Sequence, residues 1–389
     1  MEKRTIGECF YQIRNGANIK QGVVDGGIPI TRIETIANDQ FNRDRMGYAG
    51  ISDIGKYESY LLEDGDLLMS HINSVRYLGR TVLYRKQGDE KIIHGMNLLG
   101  LKADRTIIDP AYAMYSFSSP DFREQIGRIT KKSVNQASFS VADLKKLTVP
   151  VPPLSEQLER VCVLDKISHL ILLRQKELQM YDDLIKARFV ELFGDGNHPH
   201  IALIDLIIEG AGLSYGIVQP GDDGTGDMGV LRPVDMVDGK ISTASIKYID
   251  RSIGDGFKKT ELYGDELLIT VRGTTGITAL TDIRFNGMNV TRGIAVVRYD
   301  RNKINPVYLN AYLNTDESQR YIQEHTRGAT LQQINLSDLR VQQIMVPPLA
   351  LQEQMVAFIE QTDKSKVVVQ KALDEAQTLF DSLMQEYFG

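Results

Sequence analysis

Val151–Leu154 reads VPPL, and the same four letters return at Val346–Leu349, 195 residues further along the chain. The offset of 195 needs no gap from about residue 139 to residue 194, and it aligns Phe193-Gly194 with Phe388-Gly389. A second copy of so long a stretch indicates an internal duplication and not a short motif that recurs by chance. The sequence therefore predicts one folding unit of about 195 residues that is present twice.

Each repeat begins with a globular part, residues 1–150 in the first copy and 196–345 in the second. Both parts are rich in Gly, Asn, Thr and Tyr, and short apolar runs such as Thr81–Tyr84 are bounded by turn residues, as is typical of short strands. Ala111–Ile129 and Val307–His325 each follow a proline and are predicted to be helices. The fold class that we predict is α+β, with two globular mixed α/β domains in one chain.

A long segment closes each repeat, residues 151–195 in the first copy and 346–389 in the second. Residues 155–193 and 350–388 follow the Pro-Pro step and contain neither Gly nor Pro, so each is predicted to be one long helix. A heptad seam of mostly apolar residues runs through both segments. Its apolar members are Leu164, Ile167, Ile171, Leu178, Tyr181, Ile185 and Leu192 in the first helix and Ile359, Val369, Leu373, Ala376, Phe380, Leu383 and Tyr387 in the second.

The seam predicts that the two helices contact each other. Two similar units in one chain tend to pack about a pseudo-two-fold axis, which makes the seams self-complementary and the helices antiparallel. We therefore predict a coiled coil of two long antiparallel helices that joins the two domains and holds them apart. The alternative is that each helix packs only on its own domain, but a helix of roughly 38 residues, about 57 Å long, would extend beyond a domain of that size.

The net charge of −6 is unusual for a protein that binds nucleic acid, and the charge is unevenly distributed. Residues 1–150 carry 21 basic against 18 acidic side chains, and residues 196–345 carry 15 against 18. The helical segments carry 6 against 8 at 151–195 and 3 against 7 at 346–389. The acidity is therefore concentrated in the helices, and the globular parts retain local basic loops that can contact phosphate.

The sequence lacks the enzyme signatures that we sought. It contains no Gly-Lys-Ser/Thr phosphate loop, no Gly-x-Gly-x-x-Gly after a strand, and no Asn-Pro-Pro or Asp-Pro-Pro followed by an aromatic residue. Cys9 and Cys162 are too few for a disulfide framework or a zinc site. No apolar run approaches the roughly 20 residues that span a bilayer. We therefore expect a non-catalytic, cytoplasmic chain with no metal site and no membrane partner.

The duplicated element resembles a known family. Asp143-Leu144, the run VPPLSEQ at residues 151–157 and a helix that ends LIKARF at residues 184–189 are similar to the central conserved region of specificity subunits of type I restriction-modification systems. The second copy resembles their C-terminal conserved region, although Leu351 stands where that family usually has Glu. Gly65–Leu68, which reads GDLL, is similar to an element of their target-recognition domains. The resemblance covers nearly the whole chain, and its specificity lies in the doubled arrangement of Pro-Pro-Leu and helix.

The resemblance implies a role. Each target-recognition domain would read one half of a split double-stranded DNA target, while the helices fix the spacing and dock two methyltransferase subunits. Restriction subunits would complete an adenine-specific methyltransferase and ATP-dependent endonuclease. S-adenosylmethionine, ATP and Mg would then be held by the partner subunits, and this chain would hold no cofactor.

Two other functions remain open at this point. A coiled-coil protein adaptor without DNA specificity would explain the helices, but not the polar loops that carry Arg and Asn in both domains. A self-sufficient enzyme, such as a fused methyltransferase, is disfavoured by the missing motifs.

We predict DNA contacts in polar loops of both domains, because Arg and Lys pair guanine edges or phosphates and Asn and Gln pair adenine edges. The candidates in the first domain are Asn42, Arg43, Arg45, His71, Asn73, Arg76, Lys131, Lys132 and Asn135. The candidates in the second domain are Arg272, Thr274, Thr275, Arg292, Arg327, Gln332, Gln333 and Asn335.

Overall fold

The computed structural model describes residues 2–22, 27–133, 136–194, 196–219, 221, 226–237, 239–329 and 331–389. Its contacts divide the chain into two compact units. The first unit comprises Met1–Lys176 together with Gln370–Gly389, and the second unit comprises Glu177–Val369. Both units mix helices with sheets, so the predicted α+β class is confirmed.

The first unit is built on an antiparallel sheet. The strands of this unit are β1 (Lys3–Thr5), β2 (Phe10–Asn15), β3 (Ile28–Ile30), β4 (Gly47–Ala49), β5 (Leu67–Ser70), β6 (Ile72–Asn73), β7 (Thr81–Leu83), β8 (Leu98–Ala103), β9 (Lys131–Lys132), β10 (Ala137–Ser138) and β11 (Thr148–Pro150). The main sheet has the order β2-β8-β5-β7, and Leu67 of β5 lies opposite Leu83 of β7 and Leu101 of β8. A three-stranded sheet, β6-β10-β9, and the pairs β1-β11 and β3-β4 complete the unit.

The second unit repeats this main sheet. Its strands are β12 (His200–Ala202), β13 (Ser214–Tyr215), β14 (Met228–Leu231), β15 (Met236–Val237), β16 (Lys240–Ile241), β17 (Lys247–Ile249), β18 (Leu267–Thr270), β19 (Thr278–Leu280), β20 (Asn289–Val290), β21 (Ile294–Val297) and β22 (Gln343–Met345). The order β13-β21-β18-β19 places Leu267 opposite Leu280 and Val297, as Leu67 is placed in the first unit. The other sheets are β17-β14-β20, β12-β22 and β15-β16.

Helices flank these sheets and close each unit. They are α1 (Ile6–Cys9), α2 (Pro110–Ser118), α3 (Pro120–Ile129), α4 (Val141–Leu144), α5 (Leu154–Phe193), α6 (Arg251–Gly254), α7 (Pro306–Leu313), α8 (Asp316–His325), α9 (Leu336–Val341) and α10 (Leu349–Phe388). Short 3-10 helices lie at Ile33–Asp39, Arg43–Arg45, Gly55–Tyr60, Val75–Tyr77, Leu203–Leu206, Pro233–Asp235, Asp255–Thr260 and Ile283–Phe285. Of the helices that the described residues form, none is long and apolar enough to cross a bilayer.

The predicted helices Ala111–Ile129 and Val307–His325 are each broken into two. Ser119 is extended because the proline that follows it disfavours helical geometry, and its hydroxyl caps α3 by accepting a hydrogen bond from the Phe122 N–H at 3.3 Å. Thr315 performs the same capping for α8. A single-helix prediction at these positions was therefore wrong.

In the first unit, the beginning of α5 and the end of α10 join the core. Arg160 donates a hydrogen bond to the Tyr387 backbone oxygen at 3.0 Å. Tyr115 donates to an Asp165 carboxylate oxygen at 2.6 Å and packs its ring 6.2 Å from that of Phe380. Arg160 in α5 contacts Tyr387 in α10, whereas Asp165, later in α5, lies at the level of Phe380, earlier in α10. The two segments therefore run antiparallel.

In the second unit, the end of α5 pairs with the beginning of α10. Lys366 forms an ion pair with Asp182 at 2.6 Å, and the Arg188 guanidinium lies 5.7 Å from the centre of the Phe358 ring. These segments are antiparallel as well. Every apolar seam residue predicted from the heptads is buried or half-buried.

A buried glutamine fastens each long helix to its globular part. The Gln157 side chain accepts a hydrogen bond from the Asp109 N–H at 2.8 Å and donates to the Ile107 and Pro152 carbonyl oxygens at 3.0 and 2.8 Å. Gln352 accepts from the Asn305 N–H at 2.8 Å and donates to the corresponding carbonyl oxygens of the second unit. The duplicated motif thus carries the same set of side-chain contacts in both units.

Candidate nucleic-acid interface

A small antiparallel ribbon beside the main sheet carries candidates of the first unit. β5 leads directly into β6, which pairs with β10, and β10 pairs in turn with β9. Ile72 lies opposite Ser138, and Ser138 lies opposite Lys131. Opposite residues of antiparallel strands point to the same face, so these three side chains form one row, the outer row of the first unit. Lys131 is exposed, and Ile72 is 38% exposed.

The neighbouring positions of the ribbon form a second row on the other face. Asn73 lies opposite Ala137, and Ala137 lies opposite Lys132. Ala137 is buried, at 2% exposure. The Asn73 amide donates to the Ser70 hydroxyl at 3.3 Å and accepts from the Ser74 N–H at 2.8 Å. Asn73 therefore has a local structural role in its loop, whereas Lys132 remains exposed.

The second unit has a row at the corresponding place. Arg272 lies opposite Gln333, and Gln333 lies opposite Arg327, with which it exchanges two backbone hydrogen bonds of 2.8 Å. Arg272 follows β18 as Ile72 follows β5, and Gln333 is 195 residues beyond Ser138. We call these three residues the outer row of the second unit.

The outer row of the second unit is strongly basic. The Arg327 side chain is 72% exposed and lies 3.7 Å from the Asp338 carboxylate, which is 20% exposed. Within the described residues, Arg272 is half-buried and forms no ion pair, and Gln333, which lies between the two arginines, is also half-buried. The row therefore presents two guanidinium groups and one amide.

Asn42, Arg43 and Arg45 belong to a different element of the first unit, the 3-10 helix Arg43–Arg45 before β4, which Asn42 caps. Arg43 donates two hydrogen bonds to Glu90, of 2.6 and 2.9 Å, and this guanidinium lowers the pKa of Glu90 to about 2. Asn42 accepts a hydrogen bond from the Asp44 N–H at 2.9 Å. Arg45 is exposed. The Arg43 ion pair therefore stabilises the unit itself, and Arg45 is the exposed cation of this element.

The remaining candidates of the first unit differ in accessibility. His71 is 5% exposed, packs against the Phe139 ring, and has its pKa lowered by burial. Arg76 is exposed, with its guanidinium 5.5 Å from the centre of the Tyr77 ring. Asn135 lies outside the described residues.

The other candidates of the second unit surround its outer row or lie apart from it. Thr274, Arg292 and Gln332 are exposed, while Thr275 and Asn335 are half-buried. The Thr275 and Thr326 hydroxyls are hydrogen-bonded at 3.0 Å, which ties the loop after Arg272 to the segment before Arg327. Arg292 lies in a separate turn before β21.

Sequence reasoning missed two members of the outer row of the first unit, Ile72 and Ser138, because it favoured charged and amide side chains and selected few hydroxyl and no apolar residues. Val75, which is 54% exposed in the same loop, was missed for the same reason. Apolar residues inside an otherwise polar loop directly after the GDLL strand were the available signal.

The same family model matches both halves of the chain. Residues 1–180 and 227–376 match the model described as the type I restriction modification DNA specificity domain. The putative type I restriction enzyme MjaX specificity subunit of Methanocaldococcus jannaschii is 27% identical over an alignment of 398 residues that covers 97% of this chain and 92% of that protein. The type I restriction enzyme EcoBI specificity subunit of Escherichia coli is 25% identical over 180 residues, which is 45% of this chain and 38% of that protein.

Solved structures share the fold. The crystal structure of the type I restriction-modification system S subunit from M. genitalium aligns with a TM-score of 0.56 at 15% identity, covering 100% of this chain and 96% of that one. A structure titled for complex assembly and conformational transition of the type I R-M system aligns with a TM-score of 0.50 at 15% identity, covering 99% of this chain and 97% of that one.

The two matches to a DNA specificity domain place this chain in the class of DNA-recognition proteins. Because the family model covers most of the chain, this chain belongs to the type I restriction-modification specificity family. The resemblance inferred from the Pro-Pro-Leu motif is thereby confirmed. DNA recognition is the role of this domain family, whose members are not themselves catalytic.

Proposed function

We propose that this chain is the DNA-reading subunit of a cytoplasmic type I restriction-modification enzyme, and that each unit reads one half of a split double-stranded target. The observation that carries the proposal is the outer row, which occurs at the same place in both units. Two copies of one element suit two half-targets. The basic side chains Lys131, Arg272 and Arg327 suit a polyanion, whereas the acidic helices are poor partners for phosphate.

We further propose that α5 and α10 set the spacing of the half-targets and dock two methyltransferase subunits. An exposed apolar set on α5 supports a protein partner at this surface. Its members are Leu158, Val163, Leu170, Leu173, Met180, Leu184 and Val190. Restriction subunits would join the same assembly, and the partner subunits would hold S-adenosylmethionine, ATP and Mg.

Methylome sequencing of the host tests the proposed function. We expect a split motif with modified adenines that disappears when this chain is deleted and returns when it is supplied again. The matched control is a host that lacks only the methyltransferase partner, in which the same motif should be lost. If deletion of this chain leaves the methylome unchanged but causes its protein partners to dissociate from each other, the protein-adaptor function is favoured instead.

A further inference from the structure

We infer that the outer rows are the base-reading elements, and that the half-target of the second unit contains guanines read by Arg272 and Arg327. This inference rests on the proposed function and adds which bases each half-target contains. It also separates residues that sequence reasoning treated alike, because Asn73 and Lys132 lie on the other face of the ribbon from Lys131.

The width of each row suits the DNA major groove. Each row crosses three adjacent chain segments, which lie roughly 4.8 Å apart in a sheet, so its outer members are about 10 Å apart. The major groove of B-DNA is about 12 Å wide, which is slightly more than the distance between the outer members of a row. Side chains that project from one row can therefore reach neighbouring base edges of the same groove.

The chemistry of the second row favours guanine. A guanidinium presents parallel N–H donors that match the O6 and N7 acceptors of one guanine edge. Arg327 is exposed, and the partly buried Asp338 carboxylate lies beside one nitrogen of its guanidinium. The remaining N–H donors of the guanidinium stay available to a base. Gln333, between the two arginines, offers both the donor and the acceptor that an adenine edge requires.

The row of the first unit has a different chemistry. Ile72 offers no hydrogen bond, but an exposed apolar side chain can contact the C5-methyl group of thymine. Lys131 contributes one ammonium group on a flexible stem, which lacks the fixed planar fork of a guanidinium. The two half-targets should therefore differ, because only the outer row of the second unit carries arginine.

Arginine-to-lysine variants test this inference in the complete methyltransferase complex. Arg272→Lys and Arg327→Lys keep the positive charge and replace the fixed planar donor pair of the guanidinium by one flexible ammonium group. In methylome sequencing, each variant should lower the preference for one guanine in one half-target by roughly ten- to hundred-fold. The other half-target should stay unchanged. The control is Arg284→Lys, an exposed arginine of the same unit that pairs with Asp282 and should leave the motif intact.

Ile72→Ala provides the reciprocal test. It should relax a thymine-bearing position in the opposite half-target and leave the guanine positions intact. A thermal melt of each variant that matches the wild type excludes unfolding as the cause.

The outcomes separate the inference from the proposed function. If the lysine variants weaken methylation evenly at every site, the arginines contact phosphate only and base reading by this row is wrong. If motif and affinity are both unchanged, the row does not contact DNA. A wild-type complex without any sequence-specific methylation would instead overturn the proposed function on which the inference rests.

Discussion

At the scale of single residues, Gln157 and Gln352 explain why glutamine follows each Pro-Pro-Leu motif at the third position. Both side chains are fully buried, and each amide uses its one acceptor and both donors on backbone groups. A glutamate would lose the donors and bury a charge, and a leucine would leave three backbone groups without partners. The polar residue is therefore a structural requirement of the turn.

We expect Gln157→Ala to lower the free energy of unfolding by about 2–4 kcal/mol, because it leaves buried backbone groups unsatisfied. Gln352→Ala should cost a similar amount. Urea unfolding measures the size of the effect. Hydrogen exchange followed by mass spectrometry should place it near Asp109 for the first variant and near Asn305 for the second. The exposed Gln175→Ala is the control, expected within about 0.5 kcal/mol of wild type; an equal loss for Gln157→Ala and Gln175→Ala would show that the buried contacts do not matter.

At the scale of elements, the seam between α5 and α10 differs in the two units. The Asp182–Lys366 ion pair belongs to the second unit. The offset of 195 assigns Gln377 and Ile171 to the corresponding positions, so the first unit has an apolar residue and an amide there. The Asp182 side chain is 49% exposed and that of Lys366 is 29% exposed, so solvent screens the pair and its contribution is modest.

A double-mutant cycle measures this contribution. Asp182→Gln and Lys366→Ile should each destabilise the second unit by about 1 kcal/mol or less, because each leaves one charge unpaired in a partly buried seam. The double variant, which has the residues of the first unit, should cost less than the sum of the two. The coupling energy is the difference between the cost of the double variant and the sum of the two single costs. It should be smaller in 1 M salt, where ion pairs are screened. Additive costs at low salt would mean that the two side chains do not interact.

The elements differ in how far the sequence predicts them. The bounds of α5 and α10 were predicted to within one residue, because long segments without Gly or Pro, following a Pro-Pro step, leave few alternatives. The outer rows could not be predicted, because β6, β9 and β10 are two residues long and pair across large sequence distances without a local pattern. Arg43 was assigned to DNA for a related reason, since its partner Glu90 lies 47 positions further along the chain.

At the scale of the whole molecule, both long helices pass from one unit into the other. The division falls between Lys176 and Glu177 in α5 and between Val369 and Gln370 in α10. Insertions at these points lengthen the helices without entering the core of either unit. They therefore address the proposed role of the helices in setting the spacing of the half-targets.

Seven residues inserted after both Gln175 and Gln370 should widen the gap between the half-targets by roughly three base pairs. Each residue adds about 1.5 Å and seven preserve the heptad register, while one base pair rises about 3.4 Å. The longer spacer also turns the DNA by about 100°, so activity should fall. Methylome sequencing reads the gap directly, and a four-residue insertion, which breaks the register, is the control for seam packing. If a folded, active variant methylates sites whose half-targets are separated by the wild-type gap, the helices do not set the spacing. Their role would then be to dock partner subunits only.

The contribution of the end of α10 to the first unit has a consequence for synthesis of the chain. Phe380, Met384 and Phe388 pack into the core formed mainly by residues 1–176, so that core is incomplete until residues 380–388 have been synthesised. The second unit is continuous from Glu177 to Val369, and we expect it to fold first although it is synthesised later. A stop codon that removes residues 380–388 would therefore damage the unit built mainly from residues 1–176. Proteases that clear unfolded chains would then remove the truncated product before a protein with one intact domain could accumulate.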